Sequence, residues 1–362
     1  MLEKMFKFKE NNTNVKTEVI AGLTTFMTMA YILAVNPNLL SAAGMDPTAV
    51  LIATCLASFI GTLAMALMAN YPFALAPGMG LNAYFAFTVC GNMGYDWRVA
   101  LMAVFIEGII FIVLSLTNVR EAIFNAIPAT LKKGVSAGIG LFIAFIGLQG
   151  ANLVVNDDST LLTYVKFVGD FHTIGIGALL ALIGLFIIVV LHHKNIKGSI
   201  LIGILATWIL GMICEAIGLY VPDGKDFYSL YPTFRMIDFG AFGTTFGQCF
   251  NVDFSGVDIL NFIAVLFAFL FVDIFDTLGT LIGVSTKANM LDEEGKLPRI
   301  RPALLADAIA TSVGAIFGTS TTTTYVESSA GVAAGGRTGL SAMVTGLLFL
   351  LSVFLAPVFV TI

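Results

Sequence analysis

The strongest constraint on this chain is its succession of apolar runs, most of them near the length that crosses a bilayer. They fall at 18–36, 48–69, 74–90, 98–117, 134–150, 174–191, 198–218, 257–285, 302–318, 322–336 and 339–361. A transmembrane helix needs about 20 apolar residues. Composition points the same way: 58% of the residues are hydrophobic, 11% are charged and the mean hydropathy is +0.94. An ordinary soluble domain is about 25% charged. A water-soluble protein and a disordered chain are both excluded, and an all-α polytopic membrane protein is expected. The net charge is only −5, and the basic residues lie in loops rather than in a patch, so nucleic acid is not expected as a partner. Cys55, Cys90, Cys214 and Cys249 form no C-x-x-C pair, which leaves zinc and thioredoxin chemistry without support. The N-terminus MLEKMFKFKE has no secretory cleavage pattern, so the first run is kept as a span.

Basic residues orient such a chain, because Lys and Arg collect in cytoplasmic loops. With a cytoplasmic N-terminus and alternating spans, Arg98, Lys166, Lys225 and Arg235 fall outside and the other fourteen of the 18 fall inside. The expected location is the plasma membrane. The asymmetry requires both short segments, 74–90 (ALAPGMGLNAYFAFTVC) and 318–336 (GTSTTTTYVESSAGVAAGG), to re-enter or cross. These segments also mark a repeat of topology. Span 1 starts near Val19 and span 8 near Val257, and the same offset of about 240 residues carries Phe85 to Tyr325. Broken hydrophobic segments at matching places in two halves point to a secondary transporter's binding site, and seven spans per half would invert one half relative to the other. The expected organisation is a cytoplasmic N-terminus at 1–17, a seven-span repeat at 18–218, an extracellular connection at 219–256 and a second repeat at 257–362. An equal second repeat would run about three helices past Ile362. A shortened second repeat is therefore expected, with an eleven-span protein as the alternative.

An ionisable side chain inside an apolar span is costly and is by default a functional candidate. The candidates are Glu107, Asp273, Asp276, Asp307 and Glu327, with Arg337 closing the last broken segment. Asp273 and Asp276 stand three apart in FLFVDIFDTLGTLIGVS, on one helical face that continues through Gly279, Thr280 and Gly283. A small polar face of this kind lines a cavity or makes a close helix contact. Glu327 lies between STTTTYV, which suits an extended strand, and SSAGVAAGG, which suits a closely packed half-helix. Backbone that is not helical is allowed at membrane depth only where it lines a cavity or is buried in protein. Glu327 therefore either meets a ligand or caps the half-helix. In the first broken segment, Phe85 offers an aromatic face for a flat ligand or for packing, and Asn82 bonds ligand or pins the backbone. Glu107 reads as a structural bond to another helix. Asp307, early in RPALLADAIATSVGA, reads as a bonding or gating group. His172, His192 and His193 lack metal-ligand spacing on a helix, so neither metal nor cofactor is expected.

Two carboxylates at one midplane cavity suit secondary transport. A carboxylate accepts two adjacent N–H bonds, such as guanine presents from its ring N1–H and its amine. Protonation of a second carboxylate would ease crossing and couple movement to a proton gradient. The stretches AGLTTFMTMAYILAVNP (21–37), ALAPGMGLNAYFAF (74–87), DIFDTLGTLIGVS (273–285) and TSTTTTYVESSAGVAAGGRTGL (319–340) resemble those of the nucleobase–cation symporter-2 superfamily, and within it the AzgA-like guanine/hypoxanthine permeases. The resemblance implies the fold of the bacterial uracil–proton symporter: core and gate domains and a seven-plus-seven inverted repeat. Fourteen helices are expected, about eleven of them present, with short strand plus half-helix segments at spans 3 and 10. It also implies proton-driven uptake of guanine or hypoxanthine, with adenine a further substrate. The coupling ion would be a proton rather than sodium, and a homodimer is among the assemblies open to it.

The resemblance also carries site residues. The relative's eighth helix has a Glu-His-x-Gly-His pattern whose glutamate binds the base, and this chain reads Asp276-Thr277-Leu278-Gly279-Thr280 there. Asp276 would hold the base, its shorter side chain leaving room for two rings. Thr280 stands in place of a histidine tied to proton handling. The relative's tenth helix has Thr-Thr-Tyr-Gly-Glu-Asn, matched by Thr323 to Ser328. Glu327 would be the second base-binding acid, with Thr324, Tyr325 and Val326 alongside. Both third helices read Phe-Ala-Phe, so Phe85 would stack on the ring near Asn82. Glu327, Asp273 and Asp307 would serve proton coupling or gating. A sulfate- or bicarbonate-type anion transporter shares this fold, but Asp276 and Glu327 would repel an anion. No Gly-x-Gly-Asp motif supports an intramembrane aspartyl protease, so no enzyme is expected. Inward acids on broken helices favour alternating access over a passive channel.

Overall fold

The structure, a computed structural model, describes residues 2–359 except 118, 120–127, 158, 166, 168–169, 197, 223–228, 233–237 and 294–296. Polar residues just ahead of the apolar runs start the helices. After α1 (Leu2–Phe6), Asn14 accepts from Thr17 N to cap α2 (Val15–Met29). The span breaks at Ala30–Tyr31 and resumes as α3 (Ile32–Ser41). Asp46 caps α4 (Pro47–Ala64) by accepting from Ala49 N, with Pro47 in the first turn, where its missing N–H costs nothing. The first broken segment is β1 (Leu75–Pro77), α5 (Met79–Ala83) and a π-helical stretch, Tyr84–Asn92. Asp96 caps α6 (Trp97–Leu116), and α7 (Ala129–Gly150) follows. A hairpin, β2 (Val154–Asp157) and β3 (Leu161–Tyr164), leads to α8 (Ile176–His193) and α9 (Ser199–Ala216). Asp258 caps α10 (Ile259–Lys287), which is followed by α11 (Ile300–Phe317). The second broken segment is β4 (Thr322–Thr324) with α12 (Ser328–Ala333). α13 (Gly339–Ser352) and α14 (Ala356–Phe359) complete the described chain.

Seven of these helical stretches are long and apolar enough to cross a membrane. The other runs become α7, the shorter apolar helix Gly339–Leu355 and the two broken segments. Helices α4, α6, α11 and α13 form the packed body, with α2 against α13 and α10 against α6. Small residues let these helices approach. A Cβ on Gly61 would run into Ala310, and one on Gly108 into Ser312. Helices α8 and α9 pack chiefly on each other, and their apolar side chains, Phe186 and Ile213 among them, face outward. Apolar side chains on the outside of so hydrophobic a helix pair are what lipid requires.

The body is organised around a two-stranded antiparallel sheet at its centre, with Leu75 opposite Thr324, Ala76 opposite Thr323 and Pro77 opposite Thr322. Its remaining backbone groups are met by neighbours. Thr62 Oγ1 accepts from Leu75 N at 2.9 Å and donates to Leu75 O at 3.1 Å. Thr311 Oγ1 donates to Thr322 O, Gly78 N to Thr321 O and Tyr325 N to Ala74 O. Non-helical backbone thus survives at membrane depth because protein surrounds it.

At one end of the body the fully buried Glu18 of α2 holds the start of α13. Its carboxylate accepts from Arg337 N (2.9 Å), Thr338 N (3.3 Å) and Ser341 Oγ (2.5 Å). Asn70, in the left-handed conformation (φ 53°), accepts from Gly339 N and donates to Phe6 O. An acid is favoured there because helix N-terminal N–H groups lack partners and carry partial positive charge. Glu18→Ala leaves those donors buried and unmet, at a cost of about 2–3 kcal/mol. The expected result is a lower melting temperature for the detergent-solubilised protein, and an unchanged one would show that water replaces the carboxylate.

Candidate functional site

The two broken segments, the break between α2 and α3, and the middle of α10 line a partly open cavity of about 290 Å³, at the lower end of the ligand-pocket range of about 300–1,000 Å³. From α10 come Asp276 and Thr280, one turn apart. Gly78, Met79 and Gly80 follow β1, Thr324 ends β4, and Tyr325, Val326 and Glu327 follow it. Tyr31 enters from the helix break and Ile200 from the start of α9. Gly78 has a geometric reason to be glycine: a Cβ there would meet Thr323 and come within 3.5 Å of Asp276 Oδ2. The absent side chain makes room for the Thr323 methyl, while Asp276 lies at ordinary contact distance from the turn after β1.

Each junction is held firmly. Tyr325 donates its hydroxyl to Pro77 O at 2.5 Å, bolting the second junction to the first strand. Ser328 Oγ accepts from Ala74 N at 3.0 Å. Glu327 stands at the N-cap position of α12, where its carbonyl accepts from Ala330 N. Its carboxylate points elsewhere and accepts from Tyr31 Oη at 2.7 Å. α12 approaches α2 so closely that a Cβ on Gly331 would come 2.7 Å from Ala21 O.

Behind the cavity lies a second, fully buried polar cluster. Thr277 Oγ1 stands 3.0 Å from Asp273 Oδ1, 3.0 Å from Asp307 Oδ2 and 2.7 Å from Thr323 Oγ1. Asp307 Oδ1 accepts from both Thr324 N and Thr324 Oγ1. Asp273 and Asp276 therefore part company despite their spacing. Three residues turn a helix by about 300°, so the two side chains diverge by about 60°. That is enough to send Asp273 toward α11 while Asp276 meets the cavity.

Asp276, Glu327, Thr280, Thr324, Tyr325 and Val326 are brought together as the sequence suggests. Phe85 is not among them. It is fully buried in an apolar cluster with Leu40, Val50, Leu81, Val104 and Phe269. The cavity takes its wall from the turn after β1 instead, several residues earlier. Asn82 is likewise spent on structure: it donates to Asn36 Oδ1 at 2.6 Å and accepts from Ser320 Oγ. Asn36 in turn donates to Thr54 and Thr319, tying α3, α4 and both broken segments. Glu107 accepts from Thr321 Oγ1 at 2.9 Å, the bond to another segment that its isolation suggests. Tyr31, Met79 and Ile200 were not singled out from sequence. For Tyr31 a signal existed, a phenol in the middle of an apolar span.

Among the described residues, no Lys, Arg or His lines the cavity, while two carboxylates do. Such a wall favours ligands rich in N–H groups and disfavours anions. No three His, Cys, Asp or Glu among the described residues gather as a metal-ligand set.

Known proteins resemble this chain over nearly its whole length. A model described as the permease family matches residues 16–362. The chain is 48% identical to a guanine/hypoxanthine permease of Bacillus subtilis, PbuO, over 98% of this chain and 78% of the relative. It is 43% identical to an adenine permease of Escherichia coli, AdeP, over 99% of this chain and 75% of the relative. Among solved structures, the transmembrane domain of a cyanobacterial bicarbonate transporter, BicA, superposes with a TM-score of 0.63 at 15% identity. That match covers 95% of this chain and 86% of the other, and it establishes the seven-plus-seven inverted-repeat fold. The cluster behind the cavity predicts its own test. Thr277→Val keeps the shape and removes the central hydroxyl, at a cost of about 1–3 kcal/mol. Thr277→Ser should restore most of the lost thermal stability; equal melting temperatures for Thr277→Val and the unaltered protein would remove the hydroxyl from that role.

Proposed function

This chain belongs to the nucleobase–cation symporter-2 family, and on that premise we propose that it imports purine nucleobases through the cavity between Asp276 and Glu327 by proton symport. It is a multi-pass membrane permease and not an enzyme. The observation that carries the substrate reading is the pair of carboxylates, Asp276 and Glu327, lining a small cavity that no Lys, Arg or His among the described residues lines. A purine is flat and bears N–H groups at more than one edge. Asp276 would accept from one edge and Glu327 from another, with the Tyr325 and Val326 backbone beside the ring and Thr280 as a further hydroxyl. Phe85, in the same broken segment as Gly78 to Gly80, is buried in the apolar cluster with Leu81 and Val104 rather than in this cavity.

Alternating access would follow from the architecture. The body holding both strands would move as one against the elements that close the cavity, so that Asp276 and Glu327 face each side of the membrane in turn. The organisation into a repeat at 18–218 and a shorter second repeat at 257–362 belongs to this proposal. So do the plasma-membrane location, the cytoplasmic N-terminus and a homodimeric assembly. Coupling has a physical route. Carrying two ionised carboxylates through a closed, dry intermediate is costly, and taking up a proton lowers that cost. Glu327 would carry the proton at the cavity, with Asp273 and Asp307 sharing a second position through Thr277.

The likeness to a bicarbonate transporter favours one competing reading, an anion carrier of the same fold. Two acids facing the cavity oppose it. Uptake of labelled hypoxanthine by cells expressing the protein, with and without a protonophore and with guanine, adenine, uracil and sulfate as competitors, decides between them. Purine-competed uptake that collapses with the protonophore is expected; sulfate-competed uptake, or none, would overturn the purine reading. Asp276→Ala should abolish purine binding, and unchanged affinity would remove its role. Glu327→Gln should bind yet fail to accumulate substrate uphill, and full gradient-driven uptake would defeat the coupling.

A further inference from the structure

We propose that Tyr31 determines specificity in this cavity: its hydroxyl and the Glu327 carboxylate form one hydrogen-bonding edge that reads the donors and acceptors of the purine. The proposal rests on the purine-carrier reading above and deepens it. The Tyr31 oxygen stands 2.7 Å from Glu327 Oε1, and both residues are in the cavity wall. Among the described residues, Tyr31 is the one side chain that hydrogen-bonds this carboxylate. Tyr31 stands in the interruption between α2 and α3, and from there its side chain lines the cavity.

The chemistry follows from what each group can do. An ionised carboxylate only accepts, whereas a phenol hydroxyl both accepts and donates, and its proton rotates. Two oxygens this close can meet two neighbouring atoms on the rim of a planar base. Hypoxanthine presents a ring N1–H beside the O6 carbonyl. Its N1–H would take the place of the Tyr31 proton on Glu327 Oε1, and the Tyr31 hydroxyl would swing to donate to O6. Every hydrogen bond broken is replaced. Adenine presents its amine beside the N1 acceptor and meets the same edge in the same way. Guanine presents the same N1–H and O6 pair and adds an amine on the other side of N1–H, a second donor. It can set N1–H and the amine on the two oxygens of Glu327, and this two-point hold on the acid, which hypoxanthine and adenine lack at this edge, lessens its need of the Tyr31 hydroxyl.

Tyr31→Phe keeps the ring and removes the adaptable half of the edge. The test is equilibrium binding of tritiated hypoxanthine, adenine and guanine to the purified protein, whose dissociation constants do not depend on the fraction that is folded. Losing one hydrogen bond of this kind should raise the constants for hypoxanthine and adenine about tenfold, while guanine changes less than about threefold. Glu327→Gln supplies an independent arm. Its amide offers one acceptor and one donor, so guanine should weaken more than hypoxanthine. Equal weakening of all three bases by Tyr31→Phe, or no change in any, would overturn the proposal and leave Tyr31 as a packing residue. Failure of the unaltered protein to bind any purine would instead overturn the carrier reading, and this edge with it.

Discussion

Everything in this structure depends on one constraint: extended backbone cannot stand alone at membrane depth. Two short strands do stand there, and each one's groups are met by the other strand and by Thr62, Thr311 and the neighbouring turns. Once the strands are paired, their ends can only open into half-helices or loops. Those ends provide the polar backbone and side chains that a ligand cavity needs. The threonine run is part of the same solution, because a small hydroxyl satisfies a buried carbonyl without occupying much space. Gly78 is another part, since its missing side chain leaves room for Thr323 of the paired strand.

The buried acids divide by the partners that surround them. Glu18 holds the N-terminal N–H groups of α13, and Glu107 holds Thr321 beside the second strand. Asp307 holds Thr324 and shares Thr277 with Asp273. Asp276 and Glu327 face the cavity. Between the two acids of α10 a single turn separates a group committed to the protein's interior from one open to a ligand. The hydroxyl of Thr277 joins Asp273, Asp307 and Thr323 within the interior layer.

Much of this was legible in the chain. The breaks at 74–90 and 318–336 announced themselves through Pro, Gly and Thr within apolar stretches, and both became strand plus half-helix. Asp276 and Glu327 stood out because an acid in an apolar span is costly. Phe85 shows where such reading fails. A three-letter match placed it on the ligand, but the chain turns after Pro77, and the residues at that turn, Gly78 to Gly80, form the wall. By Phe85 the helix has carried the side chain into the apolar interior. Asn82 is similar, since its amide bonds Asn36 and Ser320, neither of which is near it in sequence.

The sequence by itself determined the spans, their interruptions and the set of acids inside them, because hydropathy and helix-breaking residues act over a few turns of chain. Only the tertiary structure decided which acid looks into the cavity and which into the interior, and that Tyr31 meets a carboxylate 296 residues away. The reason is that hydrogen bonds between distant segments depend on how helices cross and rotate. That rotation is set by the packing of small residues such as Gly61, Gly108 and Gly331 against their neighbours, and no local pattern in the chain encodes it.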